Sequence, residues 1–183
     1  SLANRVFLAY EQATPHFDPT TVRVVGTPVR RGFLDALAAD SPAKERGEGQ
    51  TLLVFGGSQG AHAINLAMIA ALPHLMAREG WRTGLRMIHQ TGEADCAEVK
   101  AAYAATGIPS ERAQVVPFLY DMPSALRQAD LVVARSGAVT LAELTLRGVP
   151  SILVPLPTSI YGHQEQNARV LEAAGACMLM LQH

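Results

Sequence analysis

From Thr51 onward, short apolar runs alternate with stretches whose apolar residues recur every three to four positions. The strand-like runs are Thr51–Phe55, Leu85–Gln90, Gln114–Phe118, Leu131–Ala134, Ser151–Val154 and Ala176–Met180. Runs of four to six residues without polar alternation predict strands buried on both faces. Between them the spacing predicts helices at about 61–78, 93–106, 122–128, 139–147 and 164–174. Leu66, Ile69, Ala70 and Pro73 mark an inward face for the first of these, at i, i+3, i+4 and i+7. Gly107, Gly148 and Gly175 stand where helices should stop, as left-handed residues just past the last turn. Six strands joined by five helical crossovers predict an α/β fold. It is a doubly wound, mostly parallel sheet of Rossmann type with right-handed connections.

The first fifty residues follow another pattern. Asn4 to Gln12 reads as a helix, Val22 to Val25 as a short strand, and Gly26-Thr27-Pro28 as a turn. Residues 39–50 are polar and carry Pro42, Gly47 and Gly49, the composition of a linker. A lone strand ahead of a linker has no evident partner. Residues 1–38 are therefore expected to be the remnant of an N-terminal domain with its hinge, and 51–183 a Rossmann-like unit. The chain ends three residues after its last expected strand, so it reads as the C-terminal half of a longer protein.

Composition narrows the partners. With 183 residues, 17% charged and 49% hydrophobic, the chain suits one well-buried domain whose sheet is covered on both sides. A net charge of −1 with no basic block argues against nucleic acid. The longest apolar stretch, Val149 to Pro157, is interrupted by prolines and falls far short of the roughly 20 residues of a membrane span. Ser1 to Arg5 has neither the charged end nor the apolar stretch of a signal peptide. Cys96 and Cys177 match no metal spacing and read as reduced thiols of a cytosolic protein.

The chemistry concentrates in the turns. Phe55-Gly56-Gly57-Ser58-Gln59-Gly60-Ala61 follows the first strand, and Arg135-Ser136-Gly137-Ala138-Val139-Thr140 follows the fourth. Both open helices, and two helix N-termini at one crevice favour phosphate. Ser58 can donate to a phosphate oxygen or simply cap its helix. Glu143 can accept two ribose hydroxyls, or it can complete a Thr140-x-x-Glu143 capping box. Arg135 can face the crevice or cover the sheet edge. In Gly162-His163-Gln164-Glu165-Gln166-Asn167, His163, Gln164 and Asn167 can share one face at a helix mouth, where amides suit sugar hydroxyls. The dinucleotide spacing G-x-G-x-x-G is absent, and the second strand ends in His89-Gln90 rather than an acid. No Gly-Lys-Ser/Thr follows either turn, so neither is a P-loop. No D-x-D pair follows a strand, so no metal and no other cofactor is indicated. His16, His62, His74, His89 and His183 read as ordinary surface or partly buried histidines.

Five motifs occur in one order. They are Val25-Gly26-Thr27-Pro28-Val29-Arg30, the first glycine turn, Pro117-Phe118-Leu119-Tyr120-Asp121-Met122, Arg135 to Glu143, and His163-Gln164-Glu165-Gln166-Asn167-Ala168. From about residue 22 to the end, this set resembles the MurG family, N-acetylglucosaminyltransferases that convert lipid I to lipid II in peptidoglycan synthesis. That resemblance implies a GT-B fold whose C-terminal, Rossmann-like domain binds UDP-N-acetylglucosamine. It implies that the backbone of Leu119 reads the uracil edge and that Glu143 holds the ribose. Arg30, Ser58 and the N–H groups of Ala138, Val139 and Thr140 would cradle the diphosphate, with Gln59 beside them. His163, Gln164 and Asn167 would face the sugar. Thr27 stands where the family often has Asn. The catalytic base, the lipid I site and the membrane contact would belong to the N-terminal domain, placing the full-length protein peripherally on the cytoplasmic side of the bacterial inner membrane. The alternatives are another GT-B enzyme of UDP-sugars (a glycolipid transferase or an epimerase) and a non-catalytic nucleotide-sugar-binding domain.

Overall fold

The computed structural model describes residues 3–38, 49–159 and 162–182. Six strands form one parallel sheet: β3 (Thr51–Phe55), β4 (Arg86–Gln90), β5 (Ala113–Val116), β6 (Leu131–Ala134), β7 (Ser151–Leu153) and β8 (Cys177–Leu179). Their order across the sheet is β5-β4-β3-β6-β7-β8, all neighbours parallel. The chain winds outward from β3 in one direction and from β6 in the other. The doubly wound expectation therefore holds, and the reversal of winding falls between β3 and β6.

Alternation along the strands explains why continuous apolar runs were needed. Leu53 and Phe55 point to one layer, with Val132, Ala134 and Leu153. Helices α5 (Met122–Gln128), α6 (Ala138–Arg147) and α7 (His163–Ala173) close that layer through Leu126, Leu141, Leu144 and Ala168. Leu52 and Val54 point to the other, with Met87, Val115 and Val133. There α2 (His62–Met76) and α4 (Cys96–Ala105) supply Ile64, Met68, Leu72, Val99 and Tyr103. A sheet with both faces covered has no place for a polar alternation.

Several expectations need correction. The inward face of α2 is Ile64, Asn65, Met68 and Leu72, whereas Leu66, Ala70 and Pro73 are exposed. This helix is apolar nearly all round, so periodicity alone could not select the face. Asn4 to Gln12 is not a helix: β1 (Val6–Leu8) is a strand, followed by a 3₁₀ segment at Glu11–His16. Nor is the next strand alone, because β1 pairs in parallel with β2 (Val22–Val24) in a separate two-stranded sheet. Two short helices were unforeseen, α1 (Arg31–Ala38) and α3 (Glu79–Gly84). Helix α1 docks on the main unit by burying Phe33 in the layer that holds α5. Most of the expected linker, residues 39–48, lies outside the described residues.

Gly107, Gly148 and Gly175 all have positive φ beyond helix ends, as expected. Strand β5 ends earlier than the apolar run suggested, at Val116. Pro117 has no N–H to continue a ladder, and residues 117–120 leave the sheet at its C-terminal edge. That departure places them over the switch point.

Candidate functional site

The register pairs Phe55 with Ala134, so the two glycine turns leave adjacent strands side by side. In the first turn Gly57 and Gly60 have φ of 99° and 78°, and the Gly60 N–H donates to the Gly57 carbonyl at 3.0 Å. A Cβ at Gly60 would strike the Thr91 carbonyl, so both its conformation and its packing demand glycine. Helix α2 begins at His62 with Ala61 in the cap position and no side-chain cap. Ser58 therefore does not cap it. Its exposed side chain lines the cleft instead.

The second turn is organised from beneath. The buried Ser136 hydroxyl donates to the Gln164 carbonyl at 2.8 Å, tying the turn to α7. Helix α6 starts at Ala138 after Gly137, again without a side-chain cap, and its first internal bond runs from Leu141 N–H to the Gly137 carbonyl at 3.0 Å. The amides of Ala138, Val139 and Thr140 thus have no acceptor inside the helix. Thr140 is the third residue of α6 rather than its cap, so the capping-box alternative for Glu143 fails. Glu143 is 4% exposed and accepts from Arg30 Nη2 at 3.0 Å. Burial raises its pKa, and the hydrogen bond and charge of Arg30 pull it partly back.

A cleft of about 270 Å³ opens between these turns. Among the expected site residues, Arg30, Ser58, Leu119, Val139, Thr140 and Glu143 line it together. The Leu119 side chain packs on the core below. Its own N–H and C=O carry no hydrogen bond among the described residues. Another recess, of about 320 Å³, lies between α6 and α7 at Leu144, Gly148, Val149 and Gly175. It sits at the opposite ends of the strands, away from both glycine turns.

The remaining expected residues, Gln59, Ala138, His163, Gln164 and Asn167, do not line the cleft. Gln59 is exposed on the first turn, and its carbonyl abuts Gly92 so closely that a Cβ there would collide. His163 begins α7. Gln164 Oε1 accepts from the Leu156 N–H at 3.0 Å, and Asn167 Nδ2 donates to the Ser136 carbonyl at 3.4 Å. The Asn167 amide thus braces the second turn, and that of Gln164 the loop after β7. Arg135 faces the sheet edge: its guanidinium donates to the Val154 and Pro155 carbonyls and to Gln182 Oε1.

Residues outside the sequence expectation also shape the site. Phe118 and Tyr120 meet edge-on at 4.9 Å between ring centres, with Tyr120 93% exposed at the rim. Gln90, 3% exposed, forms part of the lining from the end of β4. Behind it, His89 is no surface histidine. It is fully buried, with Nδ1 3.0 Å from the Tyr103 hydroxyl and Nε2 3.0 Å from Asn65 Oδ1. Asn65 continues to Asp95 at 2.7 Å, and Asp95 to His62 at 3.0 Å. Burial lowers the His89 pKa to about 4. The only sequence signal for this chain of polar groups was a histidine inside an otherwise apolar run.

An open α/β sheet that receives ligand where its winding reverses, between two uncapped helix N-termini, is a nucleotide-binding architecture. The chain belongs to glycosyltransferase family 28: residues 51–183 match the "Glycosyltransferase family 28 C-terminal domain". It is 44% identical over 178 residues to the UDP-N-acetylglucosamine--N-acetylmuramyl-(pentapeptide) pyrophosphoryl-undecaprenol N-acetylglucosamine transferase of Syntrophus aciditrophicus, covering 97% of the chain and 46% of that enzyme. The enzyme of the same name from Geobacter metallireducens is 41% identical over 182 residues, covering 100% of the chain and 48% of the relative. The crystal structure of MurG from Acinetobacter baumannii superimposes with a TM-score of 0.76 at 28% identity, over 98% of this chain and 47% of that one. The chain thus spans about half the length of the curated relatives it matches. Among the described residues, no helix is long and apolar enough to cross a membrane.

Proposed function

We propose that this chain is the donor-binding half of an inverting glycosyltransferase that moves N-acetylglucosamine from UDP-N-acetylglucosamine to the 4-hydroxyl of lipid I. Residues 51–183 would form the donor domain, and 1–38 would belong to the acceptor-side domain and hinge. The observation that carries this reading is the buried Glu143 carboxylate at the switch point, close enough to both glycine turns to line one cleft with them. A carboxylate there repels phosphate but accepts hydroxyls, so it assigns the ribose to its own position and the diphosphate to the helix N-termini. Leu119 then offers one donor and one acceptor to the uracil edge.

The chemistry follows from charge. As the bond between the sugar and UDP breaks, negative charge grows on the diphosphate. The amides of Ala138, Val139 and Thr140, with Ser58 and Arg30, stabilise that charge without reorganising. The acceptor hydroxyl attacks the anomeric carbon from the opposite face while a base removes its proton. We assign that base, the lipid site and contact with the cytoplasmic membrane surface to the other half of the full-length protein. His163, Gln164 and Asn167, at the mouth of α7, are the proposed sugar contacts, with Gln59 flanking the phosphates.

Titration calorimetry with UDP-N-acetylglucosamine tests the reading, against UDP-N-acetylgalactosamine, UDP-glucose and NAD. Selective binding of the first, with UDP supplying much of the free energy, is the expected result. A folded chain that prefers NAD, or a full-length protein that binds no UDP-sugar, would overturn it.

A further inference from the structure

The segment Gln90-Thr91-Gly92 sits between the two parts of the cleft that would touch the nucleotide, and it holds both. Toward the first glycine turn it packs backbone against backbone. The Thr91 carbonyl abuts Gly60 and the Gln59 carbonyl abuts Gly92, leaving no room for a Cβ at either glycine. Toward residues 117–120 it supplies a row of donors. The Thr91 N–H donates to the Val116 carbonyl at 3.0 Å and the Gly92 N–H to the Pro117 carbonyl at 3.1 Å. The Gln90 side chain adds Nε2 to the Pro117 carbonyl at 3.1 Å.

Gln90 is the unusual member of this set. The residue is 3% exposed, and the hydrogen bond its side chain makes among the described residues is the one from Nε2 to the Pro117 carbonyl. Because a carbonyl can only accept, Pro117 fixes the amide with Nε2 toward it, so the orientation follows from the chemistry. Proline at 117 removes the backbone donor that would otherwise anchor this stretch, and a side chain from the neighbouring strand supplies the hold instead. Two residues further on, Leu119 presents its free N–H and C=O.

We propose that Gln90 is a positioning residue for nucleobase selection: by holding the Pro117 carbonyl it fixes the Leu119 backbone at one distance from the phosphate turn. The proposal rests on the donor-binding reading above. Without the Gln90 bond, the Pro117 carbonyl is held by the Gly92 N–H alone among the described residues. Base discrimination then falls, while contacts at the two helix N-termini are untouched.

The test uses UDP, CDP and inorganic pyrophosphate as probes on the 183-residue chain and on two variants. CDP differs from UDP only in a base edge on which the acceptor at position 4 becomes a donor and the donor at position 3 becomes an acceptor. For Gln90→Met, which keeps the volume and loses the donor, UDP affinity should fall about tenfold and the preference over CDP should narrow by a similar factor. Pyrophosphate affinity should stay at the wild-type value, which also reports an intact fold. Gln90→Glu sets a carboxylate against the Pro117 carbonyl and should lose more UDP affinity than Gln90→Met. If the unaltered chain prefers UDP and both variants keep that preference, the Gln90 proposal is wrong and the donor reading stands. If the unaltered chain binds no uridine nucleotide, the donor reading fails and takes this proposal with it.

Discussion

Arg30 and Glu143 are 113 residues apart in sequence, and their side chains meet at 3.0 Å over the switch point. The two partners are unequal. The Arg30 side chain is 70% exposed and that of Glu143 5%, so the acid bears the cost of desolvation and the base remains largely solvated. Such a pair adds little to stability. Arg30 pulls the raised pKa of this buried carboxylate partly back, while the carboxylate lines an open cleft.

Replacing Glu143 with Gln should therefore separate binding from folding. Losing charge-assisted bonds to two ribose hydroxyls should cost about 1.5–3 kcal/mol, roughly 10–150-fold in donor affinity. Thermal stability should hold or rise, because an amide is cheaper to bury than a carboxylate. Calorimetry and a melting curve on the same sample check both halves of the statement.

Donor affinity should also fall on acidification. In the proposed ribose contact, Glu143 accepts both hydroxyls at full strength only when ionised, and burial raises its pKa from the ordinary carboxylate value. Affinity is then lost at a higher pH than an exposed carboxylate would give. Glu143→Gln should show no such drop, and a pH series of titrations on both proteins would reveal a shared profile if another group were responsible.

The first glycine turn makes two opposed predictions. Ser58→Ala, at an exposed position that caps nothing, should change stability by no more than about 0.5 kcal/mol. Its diphosphate affinity should nevertheless weaken about fivefold to tenfold. Gly60→Ala meets both a positive φ and the Thr91 carbonyl, and should cost about 2 kcal/mol or more. Denaturant midpoints for the two variants give the contrast.

His89 should shape acid stability. Its folded pKa of about 4 lies below the ordinary value of 6.5, so the unfolded chain takes the proton first. The contribution is fully present above pH 6.5 and is lost as pH falls toward 4, amounting to about 3 kcal/mol. Glu143, with a raised folded pKa, acts in the opposite sense: its contribution is present at low pH and lost as pH rises through that pKa. Unfolding titrations of His89→Gln between pH 7 and 4 should show a flatter slope than the parent.

What the sequence disclosed depended on how local the determinant was. The main strands are short apolar runs, the central ones buried on both faces, so six of six were found within two residues at either end. The glycine turns were legible because positive φ restricts residue choice at single positions. Strand β1 was not, since Val6-Phe7-Leu8 becomes a strand only by pairing with Val22–Val24. The face of α2 was hidden by apolar residues on every side. At the site, spacing alone left Glu143 ambiguous between cap and ligand. The start of α6 at Ala138 removes the cap, and no pattern of residue types encodes it. Gln90 was noticed only as the absence of an acid, because its partner Pro117 lies just past the end of another strand.

Arg30 stands outside the stretch that matches the family's C-terminal domain, which begins at residue 51. The unit defined by sequence similarity and the unit defined by charge therefore have different borders. A polypeptide cut at residue 50 would retain the sheet, both glycine turns and Glu143, but not the guanidinium that offsets the acid's burial. Its carboxylate would hold a proton more readily, and wherever it stayed ionised the cleft would carry an uncompensated negative charge. Measurements on such a piece would describe a different ligand site from the one the longer chain carries. Modularity here belongs to the backbone, while the electrostatics are held in common across the boundary.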